Sequence, residues 1–298
     1  MTFSGNRYLL LAFLTVIVWS ATFICTKILL TAFSPIEILL YRFFLAYILM
    51  FAVYPRVHKP ESLKTEAMIF FAGLSGGTLY FLCENFALNF SLASNVALIV
   101  ATAPILTAVC AHFFLKNEKL TRFTVLGGVI AFIGVALVIF NGKFVLNLNP
   151  LGDILALLSS VSWAVYSILI KKLDSRYSFY YITRKIFFWT LVTVLPFLFI
   201  FPVRFDFSPL LDWKITVNLL ILSVFASCGA YVAWNKVISV FGATRANNFI
   251  YFIPLLTLIE SAIILSEPLT FYALLGAVFI VGGVYITGRK KVERETVS

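Results

Sequence analysis

Ionisable and amide side chains are scarce inside the apolar stretches of this chain, and the few that occur there set the chemistry open to it. Glu84 is foremost. On a helix, Gly73, Gly77, Tyr80 and Glu84 share one face, two glycines that permit close helix contact followed by a phenol and a carboxylate. The later stretch repeats that face as Ser223, Ser227, Ala230 and Trp234. Glu84 so placed contacts a substrate amino group, carries a coupling proton, or is a structural carboxylate neutralised by Lys27 or Arg42. Asn85 and Asn235 recur at an offset of 150, as amides that bond either a substrate or a neighbouring helix. Trp19, Trp163, Tyr166, Trp234 and Tyr251 offer rings that wall a cavity and carry one polar atom each, although with 32 Phe and 13 Tyr most rings must face lipid or core. Asn247, Tyr251 and Pro254 share a helical face, whereas Glu260 lies about 120° from Pro254 and reads as an interhelical partner.

A second chemistry is worth weighing. Gly73-Leu74-Ser75-Gly76-Gly77 fits a Gly-x-Ser-x-Gly string, and its first four residues also fit the Gly-x-Ser-Gly of rhomboid-type intramembrane serine proteases. His112 is the only histidine inside an apolar stretch, so a Ser75–His112 dyad is the enzymatic alternative. Two features oppose it: Ser75 points about 200° away from Gly73, far from Tyr80 and Glu84, and the strand-to-helix elbow that normally presents such a serine has no place in a spanning helix. The reading is of a non-enzyme. No His-Glu-x-x-His, Cys-x-x-Cys or phosphate-binding loop occurs, so neither metal, cofactor nor nucleotide is expected. Transport would be secondary, ion-coupled or facilitated. A passive channel is a further alternative, separated from a carrier by saturation and counterflow.

The elements that position these groups follow from composition. Of 298 residues, 61% are apolar and 12% charged, and the mean hydropathy is +1.01, which excludes a water-soluble fold. Apolar windows long enough to span a bilayer fall near 8–31, 36–54, 67–90, 93–115, 122–141, 150–171, 179–202, 214–240, 243–265 and 269–288, separated by turn or charged segments. This predicts an all-α integral membrane protein of ten transmembrane helices. The net charge of +10 reads as topology and not as a nucleic-acid site. With the N-terminus inside, the cytoplasmic segments hold Arg7, Arg56, Lys59, Lys64, Lys116, Lys119, Arg122, Lys171, Lys172, Arg176, Arg245, Arg289, Lys290, Lys291 and Arg294, against Lys143, Arg204 and Lys214 outside. Both termini are therefore expected in the cytoplasm. The four cysteines lie inside apolar runs without paired spacing and read as free thiols.

The chain also repeats itself. Trp19, Lys27 and Phe43-Phe44 return at an offset of 144 as Trp163, Lys171 and Phe187-Phe188; Asn85 and Pro104 return at 150 as Asn235 and Pro254; Glu118, Gly127 and Gly134 return at 149 as Glu267, Gly276 and Gly283. Each copy holds five spans, an odd number, so the copies must be inverted relative to one another. The organisation expected is a first repeat over 1–146, a second over 147–288 and a basic cytoplasmic tail over 289–298. Inverted repeats make alternating access the leading mechanism. Pro104 and Pro254 each interrupt a span and act as hinges or as static kinks.

Trp19-Ser20-Ala21-Thr22-Phe23, Tyr41-Arg42-Phe43, Ala93-Ser94-Asn95-Val96-Ala97-Leu98-Ile99 leading to Pro104, and Glu118 before Gly127 and Gly134-Val135 together resemble the EamA-type family of the drug/metabolite transporter superfamily. The resemblance spans the whole chain and recurs in its second half. It implies a ten-helix carrier of the inner (cytoplasmic) membrane with cytoplasmic termini. A central cavity would be lined chiefly by the third, fourth, eighth and ninth helices, with help from the first and sixth. The implied cargo is a small metabolite, an amino acid or an amphipathic compound, moved outward; protons are a candidate coupling ion on the separate ground of Glu84. Asn95 and Arg42 enter the candidate set with these motifs. The sequence departs from the pattern at Ser20, where the family usually has Gly, and at Arg42, whose nearest counterparts, Arg184 and Lys185, are out of register. Epitope tags on the two termini are both expected to be silent in intact cells and read after permeabilisation; tags on opposite faces would exclude the inverted arrangement.

Overall fold

A computed structural model describes residues 3–57, 62–91, 93–140, 149–173, 177–201, 203–265 and 270–288, side chains excepted at 3–5, 93–95 and 261–265. Within these residues the protein is all-helical. Eight helices are long and apolar enough to cross a membrane: α1 (Asn6–Leu29), α2 (Pro35–Val53), α3 (Leu63–Phe90), α4 (Val96–Phe114), α5 (Arg122–Phe140), α6 (Pro150–Lys172), α7 (Phe179–Leu198) and α8 (Trp213–Phe241). The sequence suggests ten spans, and the structure differs at the last two. The 243–265 stretch is divided into Ala243–Asn247, a 3-10 stretch Asn248–Phe252 and α9 (Ile253–Leu265), and α10 (Phe271–Thr287) is a shorter apolar helix of 17 residues. Pro254 causes the division in part, because it has no N–H to offer the carbonyl one turn earlier. The tail 289–298 lies outside the described residues.

Helix starts are fixed by local chemistry. Ser34, Pro35 and Glu37 form a capping box at α2, in which the Ser34 N–H donates to Glu37 Oε2 at 2.8 Å. The other oxygen, Glu37 Oε1, accepts from the Arg204 N–H at 2.9 Å and ties the start of α2 to the segment after α7. Asn149 caps α6 through the Gly152 N–H, 3.1 Å. Proline breaks are compensated from neighbouring helices. The backbone of α4 turns at Ala101-Thr102 just before Pro104, and Ser160 Oγ of α6 reaches the freed Val100 carbonyl at 3.4 Å and Ile99 O at 3.2 Å.

Two helices change their winding at matching repeat positions. α3 is a π-helix over Leu74–Leu79 and α8 over Ile221–Gly229. The shared face expected for Gly73, Gly77, Tyr80 and Glu84 is lost as a result. A Cβ on Gly73 or Gly77 would strike Trp189 or Thr190 of α7, whereas Tyr80 and Glu84 face a central cavity. The wider π turn between them rotates the second pair away from the first.

The two halves interleave. α3 packs on α6 and α7, α2 on α7 and α8, α1 on α8 and α9, and α5 along the length of α10. Gly76 lets α3 approach the Tyr166 ring so closely that a Cβ there would strike it. A Cβ added to Gly134 would lie 2.7 Å from the Gly276 carbonyl oxygen, so α5 and α10 meet backbone to backbone. Their outer faces expose Val125, Val129, Val278 and Val281, a surface suited to hydrocarbon and not to water. Gly134→Val is expected to push α5 and α10 apart and to cost roughly 1–3 kcal/mol, read as a lowered unfolding temperature in detergent. Gly282→Ala, where nothing lies within 4 Å, should be neutral or slightly stabilising.

Candidate functional site

A cavity of about 570 Å³ lies inside the bundle, within the range of small-molecule sites. It occupies the half of the bundle where α1 ends, α2 begins, α3 ends and α4 begins. The wall is mostly aromatic and aliphatic: Trp19 and Phe23 from α1, Tyr80 and Phe81 from α3, Trp163 from α6, Tyr231 from α8, with Ala97, Val100, Ile139, Ile250 and Pro254 between them. Thr257 adds a hydroxyl, though its Oγ1 already donates to Ser20 O at 3.0 Å.

Three charged groups enter this wall: Lys27, Arg42 and Glu84. Glu84 Oε1 accepts from Tyr80 Oη at 2.9 Å. Arg42 Nε donates to Ser227 Oγ at 2.7 Å, and its guanidinium lies 4.2 Å from the Phe81 ring centroid. Lys27 Nζ donates to Leu88 O at 2.6 Å. Among the described residues none of the three forms a direct salt bridge, so Arg42 and Glu84 face one cavity, each within the field of the other's charge but not in contact with it. The cavity thus presents a cationic fork and a carboxylate, each with hydrogen-bonding capacity left over, on an aromatic wall.

The floor is an aromatic cluster. Trp19 packs on Trp163 (5.3 Å between centroids) and Trp234 (4.8 Å), and Trp163 on Tyr166 (5.0 Å) and Tyr80 (5.1 Å). The polar atoms of Trp163, Trp19 and Tyr231 are taken by protein partners. Trp163 Nε1 donates to Asn247 Oδ1 at 2.8 Å, Trp19 Nε1 to Ala226 O at 3.1 Å, and Tyr231 Oη to Gly76 O at 2.6 Å. Below comes a layer of amides. Asn247 Nδ2 donates to Ser167 Oγ (3.0 Å) and Ala243 O (2.9 Å), and Asn235 takes the Tyr166 hydroxyl while donating to Thr183 Oγ1 at 3.0 Å. At the far end Arg184 donates to the Tyr54 and Arg56 carbonyls and Lys185 pairs with Glu66. There Glu118 accepts from the N–H groups of Ala243 (2.9 Å) and Thr244 (2.8 Å).

The sequence-derived candidates are therefore distributed over three places. Arg42, Tyr80, Glu84, Trp163 and Pro254 line the cavity. Tyr166, Asn235 and Asn247 sit in the sealing layer beneath it, and Trp234 is buried beside Trp19 with its indole N–H unpartnered among the described residues. Asn85 donates to Pro35 O at 3.1 Å, Tyr251 is buried against the face of α5 near Gly128, and Pro104 is buried at the α4 break. Asn95 lies outside the residues whose side chains are described. Lys27, Phe81 and Tyr231 complete the wall without having been singled out for it. The repeat held a signal for two of them, since Phe81 and Tyr231 are related by the offset of 150 that relates Asn85 to Asn235. The Ser75–His112 dyad is not formed: Ser75 Oγ donates to Phe71 O at 2.6 Å within its own helix, and His112 Nδ1 accepts from the Leu120 N–H at 3.1 Å.

The helical bundle with a buried, partly charged cavity defines a class, that of multi-pass membrane transporters. The EamA-like transporter family matches residues 6–140 and again 150–289, and the chain belongs to that family. An uncharacterized transporter of Archaeoglobus fulgidus is 30% identical over 295 residues, covering 97% of this chain and 99% of that one. A probable amino-acid metabolite efflux pump of Escherichia coli (strain K12) is 26% identical over 285 residues, 93% of each. A solved crystal structure superposes with a TM-score of 0.75 at 17% identity, covering 95% of this chain and 96% of its own, a likeness of fold. Since Asn247 satisfies both Trp163 and Ser167, Asn247→Leu should leave buried partners unpaired and cost about 1–3 kcal/mol, measured by denaturation in detergent micelles against the wild type.

Proposed function

We propose that this protein is a secondary carrier that moves a small zwitterionic or amphipathic metabolite, an amino acid or a compound of that build, outward across the inner membrane by alternating access. The observation that carries the reading is the pair Arg42 and Glu84, present in one cavity and not paired with each other. A substrate carboxylate on the Arg42 fork and its ammonium on Glu84 would neutralise both groups at once, and the aromatic wall would take an apolar side chain. On this reading Tyr80 positions the Glu84 carboxylate and Ser227 the Arg42 guanidinium, each through the hydrogen bond it makes.

The access mechanism rests on the repeat. Lys27 Nζ caps the last turn of α3 at Leu88 O, and its repeat counterpart Lys171 Nζ meets the last turn of α8 at Ser239 O, 2.8 Å. The same contact made at both ends of the molecule is what two inverted five-helix units would produce. With both termini in the cytoplasm, the cavity lies in the outer half and the layer of Asn235, Asn247 and Tyr166 closes the inner half. In the inward-open state that layer separates and the outer ends of α1, α3 and α4 close over the cavity. Export agrees with what the Escherichia coli relative is named for.

Metabolite profiling of cells with and without the protein, followed by counterflow in proteoliposomes, is expected to give saturable exchange of an amino acid or a close analogue. Glu84→Gln and Arg42→Gln should each lower that exchange roughly 10- to 100-fold, the loss of one charge-assisted contact. Non-saturating flux without counterflow would replace the carrier by a channel. In a background lacking the four native cysteines, Asn247→Ala should raise labelling of a cysteine at Ser167 by an impermeant maleimide applied inside and lower outside labelling of a cysteine at Ala97. Parallel changes at both positions would count against alternating access.

A further inference from the structure

Glu260 is a half-buried carboxylate of α9 that takes no part in the cavity. It lies in a separate, mainly apolar recess between α1 and the π stretch of α8, lined by Ile17, Ala21, Cys25, Ile221 and Phe225. Ile17 and Phe225 are themselves exposed on the outside of the bundle, so the recess faces hydrocarbon.

Its one hydrogen-bond partner among the described residues is Ser20. Ser20 Oγ lies 2.5 Å from Glu260 Oε1 and 2.6 Å from Ile17 O. A hydroxyl has one hydrogen to donate. Both contacts are met without sharing that one hydrogen when Ser20 donates to the Ile17 carbonyl and a protonated Glu260 donates to Ser20 Oγ. Among the described residues no cation opposes the carboxyl: α1 presents Ser20 and Cys25, the α8 stretch Ile221 and Phe225, α5 carries no ionisable residue after Arg122, and 261–265 of its own helix read Ser-Ala-Ile-Ile-Leu. A bare carboxylate facing hydrocarbon is far costlier than the neutral acid.

A route to water is also present. Ile24 lines both the recess and the main cavity and so forms the partition between them. It lies just past the break of α1 at Ala21, where Ser20 and Thr22 have turned their hydroxyls to Ile17 O and Trp19 O. Thr257, one turn before Glu260 on α9, holds Ser20 O from the cavity side.

We propose that Glu260 is a proton-binding site of the carrier, separate from the substrate cavity, that is protonated in the conformation described and exchanges its proton through that cavity when Ile24 moves aside. The exchange step rests on the alternating-access reading; the occupancy of the site does not.

The test is carboxyl modification of the full-length protein in lipid nanodiscs. N,N′-dicyclohexylcarbodiimide, an apolar reagent, adds to a protonated carboxyl, the proton passing to a carbodiimide nitrogen, and rearranges to a stable N-acylurea. Peptide mapping should find it on Glu260, with labelling that falls as pH rises. Ser20→Ala should move the midpoint of that fall to lower pH, because the acceptor for the acid proton is gone; an upward shift or none would mean that Ser20 serves the carboxylate form and would overturn the proposal. Glu260 unlabelled at every pH from about 5 to about 8 would also overturn it, as that window brackets the protonation of a buried carboxyl. A water-soluble carbodiimide should leave wild-type Glu260 unmodified and label it in Ile24→Ala; equal labelling of both would remove Ile24 as the partition. None of these readouts needs substrate to move, so their failure is distinct from a failure to find counterflow.

Discussion

The packed parts of a bundle this apolar offer no water, and nearly every polar group placed there finds its partner within the chain, the exceptions among the described residues being Tyr41, Thr107, Trp234 and Tyr251. That constraint organises the molecule. Where proline removes a backbone donor in α4, Ser160 of the neighbouring helix meets the freed Val100 carbonyl. Where indoles and phenols are buried beneath the cavity, the amides of Asn235 and Asn247 and the carbonyls of Ala226 and Gly76 take their hydrogens. Against this background the charged groups of the cavity stand apart. Arg42 and Glu84 each keep one neutral hydrogen bond and leave the rest of their capacity facing the same space.

The irregularities of the helices lie close to these groups. The π stretch of α3 precedes Tyr80 and Glu84, that of α8 contains Ser227 and precedes Tyr231, and the break of α1 lies between Trp19 and Phe23. Each turns side chains out of the register a regular helix would impose, and each occurs where the wall of the cavity requires it. Helix ends are instead made rigid, by the Ser34–Glu37 box at α2 and by Glu118 on the N–H groups of Ala243 and Thr244. A carrier needs both properties, stiff elements that move as bodies and local breaks at which they move.

The sequence held a good deal of this. Hydropathy identified the membrane class and the eight long helices, and failed to foresee the division of 243–265 into three pieces because apolar content says nothing of a 3-10 stretch. The glycines that the repeat relates, Gly127 and Gly134 to Gly276 and Gly283, are those at which α5 and α10 meet backbone to backbone. The stripe of Gly73, Gly77, Tyr80 and Glu84 was assembled on 100° per residue, a spacing that a π turn does not keep. Glu260 read as an interhelical partner, and the structure supplies the partner, Ser20, 240 positions away.

By itself, then, the order of residues determined the medium in which the protein folds, its duplication, and which few side chains carry charge into apolar surroundings, since all three depend on composition and spacing along the chain. Tertiary structure alone decided which of those side chains share a cavity, which seal its floor, and that Ile24 stands between two compartments. The reason is physical. The rotation of one helix about its axis is set by packing against neighbours drawn from both halves, and no local pattern encodes that rotation once a π turn or a break has altered it.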